Sequence, residues 1–179
     1  MLAPPQVEAV AAALELSGER FVWCVRGPGV GEEKKVAVPE GFEERVKGRG
    51  VVVEGRLGKA AVLKHRAVAG FLTHCGWRSV MEGMAAGVKM LMWPMGAEQY
   101  VNARLVVEVG MGVGVCEGED GVPNVEEMAK KLKEMVEMKG EKGKEIRRMA
   151  AAAAEEGGSS SDDLERMVKE LCMMGRRGT

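Results

Sequence analysis

The stretch Phe71-Leu-Thr-His-Cys-Gly-Trp-Arg-Ser79 carries the densest set of groups able to do chemistry. It reads as an apolar strand ending at Thr73, a tight turn at Gly76 and a helix beginning near Ser79. Such a unit presents unpaired backbone N–H groups and a positive helix end at the C-terminal edge of a parallel sheet. That is an anion site, with phosphate its usual occupant, and His74 and Ser79 add side-chain donors. Plainer readings stand beside these. Ser79 and Glu82 have the S-x-x-E spacing of a capping box, which needs no ligand. His74 alone reads as a core or capping histidine, and Glu98 as a first-turn carboxylate favoured by the helix dipole. His65 reads as structural, Trp93 beside Pro94 as packing, and Met81, Met84, Met90 and Met92 as core filler. Cys75 and His74 do not form a nucleophile–base pair, because neighbours on a strand face opposite ways. The cysteines, Cys24, Cys75, Cys116 and Cys172, are too widely spaced for a metal site or a disulfide framework. No metal is expected, and reduced thiols point to the cytosol.

The elements that must position this segment follow from hydrophobic patterning. Pro4 and Pro5 open an Ala-rich helix that Gly18 ends. Strands are predicted at Arg20–Val25, Val51–Val53, Val68–Thr73, Lys89–Trp93 and Gly112–Cys116. Helical patterns fall near Lys59–Lys64, Ser79–Ala86 and Glu98–Glu108. This alternation predicts an α/β fold, a doubly wound parallel sheet with helices on its faces. Beyond Gly121 the pattern turns helical: an amphipathic helix at Val125–Met138, a second at Lys144–Glu155, and a last one capped by Ser161 or Asp162. The Gly-rich, charged stretch Gly27–Lys35 predicts a mobile loop.

Of 179 residues, 46% are hydrophobic and 4% aromatic, so Ala, Val, Leu and 14 Met must build the core. That apolar content is too high for a disordered chain. With 26 basic against 27 acidic residues the formal net charge is −1, which excludes broad electrostatic capture of nucleic acid or an anionic membrane. No apolar run approaches the ~20 residues of a membrane span, and the N-terminal residues lack the pattern of a secretory leader.

The run from Arg56 to Gln99 resembles the donor-binding box of plant family 1 UDP-dependent glycosyltransferases. The residues that carry the likeness are Val62-Leu63-x-His65, Phe71 through Trp77, Ser79, Glu82, Ala85-Ala86-Gly87, Trp93-Pro94 and Glu98-Gln99. The flanks agree: Ala3-Pro-Pro-Gln-Val, Arg20 through Arg26, Pro39-Glu-Gly-Phe-Glu43 and Gly157-Gly-Ser-Ser160. The resemblance thus covers nearly the whole chain. It implies the Rossmann-like C-terminal half of a GT-B fold, lacking its first strand, with residues 1–179 one partial nucleotide-sugar-binding domain and 140–179 its helical extension. By the same resemblance His74 and Ser79 contact the diphosphate at the Gly76 turn, and Trp77 borders the sugar. Glu82 would accept from the ribose hydroxyls, and Glu98 and Gln99 would hold the donor sugar. UDP-sugar is then a co-substrate, with no separate cofactor.

The chain departs from the family at informative places. Where the family opens its box with Trp-Ala-Pro-Gln, this chain has Arg56-Leu57-Gly58-Lys59. The family's Trp stacks on uracil, and base–aromatic stacking is worth ~1–3 kcal/mol. Its loss should weaken the donor on the order of ten- to a hundredfold, unless an Arg guanidinium stacks instead. Lys59 is placed to find a phosphate. Arg78 replaces the usual Asn; it either strengthens diphosphate binding or fills the phosphates' space, and it leaves an acidic donor sugar open. Lys89 replaces a Pro and adjusts the strand. The acceptor-binding half, with its His general base worth ~10²–10⁴ in rate, has no counterpart here, and neither does the family's Gly-Ser strand before Leu2. Two readings follow. One is the donor half of an inverting UDP-glycosyltransferase that needs a complementary half to reach its small-molecule acceptor. The other is a non-catalytic protein that binds nucleotide weakly or serves as a partner surface.

Overall fold

The computed structural model describes residues 2–25, 38–55, 57–137 and 140–175. Gly27–Lys35, with Arg26, Arg56 and Met138, lies outside them. Pro4 and Pro5 fill the first two positions of α1 (Pro4–Ser17), where a missing N–H costs nothing, and Gly18 closes it at φ 70°. β1 (Phe21–Val25) pairs in parallel with β2 (Gly50–Glu54), Trp23 opposite Val52. After α3 (Lys59–Leu63), a second parallel sheet is built by β3 (Gly70–Thr73), β4 (Lys89–Met92) and β5 (Gly112–Gly114). Its crossovers are α4 (Trp77–Ala86) and α5 (Gln99–Glu108), and three helices follow: α6 (Val125–Glu137), α7 (Glu141–Ala154) and α8 (Ser159–Gly175).

The expected strands all form, and their ends differ for local reasons. β4 ends at Met92, although the Trp93 N–H still donates to the Thr73 carbonyl at 2.9 Å. Between β1 and β2 stands a one-turn helix that the periodicity did not predict, α2 (Phe42–Arg45); four residues are too few to show a 3.6-residue repeat. α7 starts at Glu141 rather than Lys144. Ser161 and Asp162 do not cap α8, which already begins at Ser159, and the Asp162 N–H donates to the Gly158 carbonyl at 2.9 Å. The turn is tight enough that a Cβ on Gly158 would strike the carbonyls of Ala152 and Ala153, so the chain turns helical again at once.

Side-chain alternation sorts the strands onto two faces. Leu72, Leu91, Trp93, Phe21 and Trp23 face one cluster with Val10 and Leu14 of α1, Phe42 of α2, and Met128 and Leu132 of α6. Phe71, Met90 and Met92 face the other side, against Val80 of α4 and Ala103 and Val106 of α5. α3 packs beside α4 on this second side. α2, on the opposite face, carries β1 to β2, so right-handed crossovers make that step run against the β3-β4-β5 direction. The orders within the sheets are β2-β1 and β3-β4-β5. Among the described residues no hydrogen bond joins the two sheets, and no strand lies between them.

α7 docks on α4 through a reciprocal backbone contact. A Cβ on Gly143 would strike the Gly87 carbonyl, and one on Gly87, at φ 70°, would strike the Gly143 carbonyl. In an open helix Gly→Ala gains about 0.5–1 kcal/mol. Here the sign reverses: Gly143→Ala should destabilise by about 1–3 kcal/mol through overpacking, read as a lower urea midpoint. A raised midpoint would show that α7 does not pack in this way.

Candidate functional site

The strand, turn and helix expected here form, with the helix starting at Trp77, two residues before Ser79. Cys75 adopts φ 69°, a left-handed conformation uncommon outside glycine, and Gly76 becomes the N-cap of α4. Three hydrogen bonds hold the strained residue. The Cys75 N–H donates to Thr73 Oγ1 at 3.1 Å, its thiol to the Thr73 carbonyl at 3.5 Å, and Asn102 Nδ2 of α5 donates to the Cys75 carbonyl at 2.9 Å. His74 lies over Gly76, where an added Cβ would come within 2.7 Å of its Nε2. The imidazole and the glycine therefore share one small space, which only glycine leaves open. Cys75 is buried, and burial pushes its thiol up to about 11. It stays a neutral thiol at ordinary pH, consistent with the exclusion of a Cys–His nucleophile.

Because α4 starts at Trp77, Ser79 is its third residue and not its cap, and the Ser79–Glu82 capping box does not form. The Ser79 backbone N–H instead donates to the Gly76 carbonyl at 2.8 Å. Its side chain serves a different partner. Lys59, the first residue of α3, donates from Nζ to Ser79 Oγ at 2.7 Å and stands 2.8 Å from Glu82 Oε2. The second contact is an ion pair without hydrogen-bond alignment, since Oε2 is buried and accepts no aligned bond. Arg78 Nε reaches Glu82 Oε1 at 3.1 Å from a side chain that is 91% exposed. Lys59 first, and Arg78 after it, hold the Glu82 carboxyl below its ordinary range against the opposing effect of burial. The Lys59 ammonium also sits 5.6 Å from the centre of the Phe71 ring, within cation–π range.

The remaining expected residues fall around this cluster. Trp77, half-exposed at 52%, stands on the first turn of α4. Leu57 leads into α3, its carbonyl accepting from the Lys59 N–H at 2.7 Å; Arg56 is outside the described residues. Glu98 is the N-cap residue of α5 and makes no side-chain cap bond. Gln99 commits its amide oxygen to the Met95 N–H at 2.9 Å. Since Thr73 pairs with Met92 across β3 and β4, the segment with Glu98 and Gln99 leaves the sheet at the same edge as the His74 turn. His65 has a local structural role, its Nδ1 accepting from the Ala67 N–H at 3.2 Å. Trp93 is buried in the core, as the packing reading expects.

The sequence reading missed Asn102 and Thr73, which hold the turn, and the bond from Lys59 to Ser79. Asn102 left one trace, a polar side chain on the buried stripe of Ala103 and Val106. Among the described residues no three metal-ligating side chains converge, and no helix is long and apolar enough to cross a membrane.

Comparison with known proteins matches residues 2–156 to the family model of UDP-glucoronosyl and UDP-glucosyl transferases. UDP-glycosyltransferase 89B2 of Stevia rebaudiana is 45% identical over 174 residues, 94% of this chain and 37% of its own length. Flavonol 3-O-glucosyltransferase UGT89B1 of Arabidopsis thaliana is 43% identical over 179 residues, 98% of this chain and 38% of that protein. Among solved structures, Arabidopsis thaliana UGT89C1 complexed with UDP-L-rhamnose superposes with a TM-score of 0.82 at 41% identity, over 96% of this chain and 40% of that one. The chain spans about two fifths of the length of these relatives.

The electrostatics of Glu82 have a measurable sign. A carboxyl held below its ordinary 4.5 stabilises the fold above that pH, and the gain is lost as pH falls through the lowered folded value. Glu82→Gln should therefore lower Tm at about pH 7, and the gap to the unmodified chain should narrow at about pH 3, below the ordinary carboxyl value, where that gain is being lost. A gap of the same size at both pH values would contradict the ion pairs.

Proposed function

The chain belongs to the UDP-glucoronosyl and UDP-glucosyl transferase family, and from that premise we propose that it is the donor-binding half of an inverting UDP-glycosyltransferase. Its donor is a UDP-sugar, with UDP-glucose the leading choice. Its acceptor is a small plant metabolite such as a flavonoid or other phenolic, reached only with a complementary acceptor half. The observation that carries this reading is the arrangement at one sheet edge: the Gly76 turn with His74 and Ser79 at the end of β3, and Glu98 and Gln99 just past the end of β4. UGT89C1 has been solved with UDP-L-rhamnose and with quercetin, a nucleotide sugar and a phenolic, which supports the same substrate classes here.

In this reading residues 1–179 act as one nucleotide-sugar-binding unit with 140–179 as its helical extension. The diphosphate sits at the N-terminus of α4, where backbone N–H groups and the helix dipole stabilise it, with His74 and Ser79 donating. Arg78 supplies a cation beside it and Trp77 borders the sugar. Glu82 serves the ribose, Glu98 and Gln99 the sugar hydroxyls, and Arg56 and Leu57 the base end, with Lys59 on the phosphate side. The acceptor oxygen attacks the anomeric carbon, the bond to the β-phosphate breaks, and UDP leaves with the electron pair. This half contributes by stabilising the departing diphosphate; the base that takes the acceptor proton belongs to the complementary half, and no catalytic residue lies in this chain. The reaction calls on no metal or further cofactor, only UDP-sugar as co-substrate. A cytosolic setting fits four unpaired cysteines.

A specific contact favours the second reading, a non-catalytic relative with weak nucleotide binding: Lys59 already engages both Ser79 and Glu82. Calorimetric titration with UDP and UDP-glucose separates the two. Saturable binding, weakened about tenfold or more by His74→Ala, supports the donor half, since one charge-assisted hydrogen bond is worth about 1.5–3 kcal/mol. No heat at millimolar UDP would leave the second reading standing.

A further inference from the structure

Lys59 and Glu82 are separated by a helix and a strand, yet with Arg78 and Ser79 they form one closed cluster. Both Glu82 oxygens face cations, Arg78 at Oε1 and Lys59 at Oε2. Ser79 is only 7% exposed, and its hydroxyl oxygen accepts from Lys59. Two cations against one carboxylate leave the cluster net positive, at the N-terminal turn of α4, where the helix dipole adds the same sign. We propose that Lys59 is a latch on the donor site, its ammonium bridging Ser79 and Glu82 until an arriving diphosphate draws it away and frees the Glu82 carboxylate.

The exchange is chemically balanced without any bond being made or broken. Lys59 is a point charge on a flexible four-carbon stem, and a diphosphate offers it more negative charge than one carboxylate does. A Ser hydroxyl can accept from an ammonium and still donate its own hydrogen to a phosphate oxygen, so Ser79 keeps its role in both positions. Glu82, relieved of Lys59, regains an acceptor oxygen for a hydroxyl. Arg78 is nearly fully exposed, and can follow the phosphates without disturbing packing. The latch makes binding of the neutral part of a ligand depend on its charged part: a nucleoside alone cannot open the site, whereas a diphosphate alone can. This goes beyond the donor-half reading and rests on its placement of the diphosphate.

The test uses the whole chain and two probes, inorganic pyrophosphate and UDP, titrated by calorimetry. Lys59→Gln should weaken pyrophosphate about tenfold, because it removes the cation that moves. Glu82→Gln should tighten pyrophosphate about tenfold, because it removes the competing carboxylate. A bridge between α3 and α4 that lies away from the bound anion gives no such opposed pair of shifts. Should Lys59→Gln fail to fold, the Glu82→Gln tightening alone decides. Pyrophosphate binding that Glu82→Gln leaves unchanged or weakens overturns the latch, even if UDP still binds. Opposed shifts with pyrophosphate and no binding of UDP keep the latch and overturn the nucleotide reading. Silence with both probes overturns both.

Discussion

What holds this chain together is an apolar cluster rather than a continuous sheet. β1-β2 and β3-β4-β5 share no backbone hydrogen bonds among the described residues, yet Trp23, Leu72, Leu91 and Trp93 meet beneath them in one cluster with Val10, Leu14, Met128 and Leu132. The α1–α6 pair is therefore the bracket across the break. Each buried side chain of this size contributes about 1.5–3 kcal/mol, and several are needed to replace the ladder that a continuous sheet would supply. One polar side chain reinforces the bracket. Gln6, at the first turn of α1, donates to the carbonyls of Glu119 and Gly121 at 2.6 and 2.8 Å, tying α1 to the segment that leads into α6.

The candidate site depends on the larger sheet alone. β3, β4 and the helices α3, α4 and α5 supply the described members of the Lys59–Glu82 cluster and of the His74 turn. The turn is held by Thr73 and Asn102, so its left-handed Cys75 is maintained by buried polar groups. Within a few residues, Thr73 and Asn102 fix the backbone, while Ser79, Arg78 and Glu82 form the cluster with Lys59.

Legibility in the sequence followed the range of the interaction. Strand positions and the Gly76 turn were readable because alternation and glycine act within a few residues, and the Pro-Pro opening of α1 set its start unambiguously. The first turn of α4 was misplaced because Ser79 and Glu82 imitate a cap, whereas Cys75 and Gly76 already satisfy the helix start. α2 is too short for any periodicity. The Lys59 contacts with Ser79 and Glu82 left no local mark: their spacing is set by a crossover and a strand, and only folding brings them together. The family resemblance drew attention to this segment and set Lys59 near a phosphate, with nothing to mark the α4 carboxylate and hydroxyl that it contacts.

The break between the sheets also bears on local stability. In an unbroken doubly wound sheet the middle strands are the last to release their amide hydrogens to solvent, because both of their edges are bonded. Here β4 alone among the described strands is bonded on both sides. β1 and β3 each pair on one side only, so the slowest-exchanging strand amides are expected in β4.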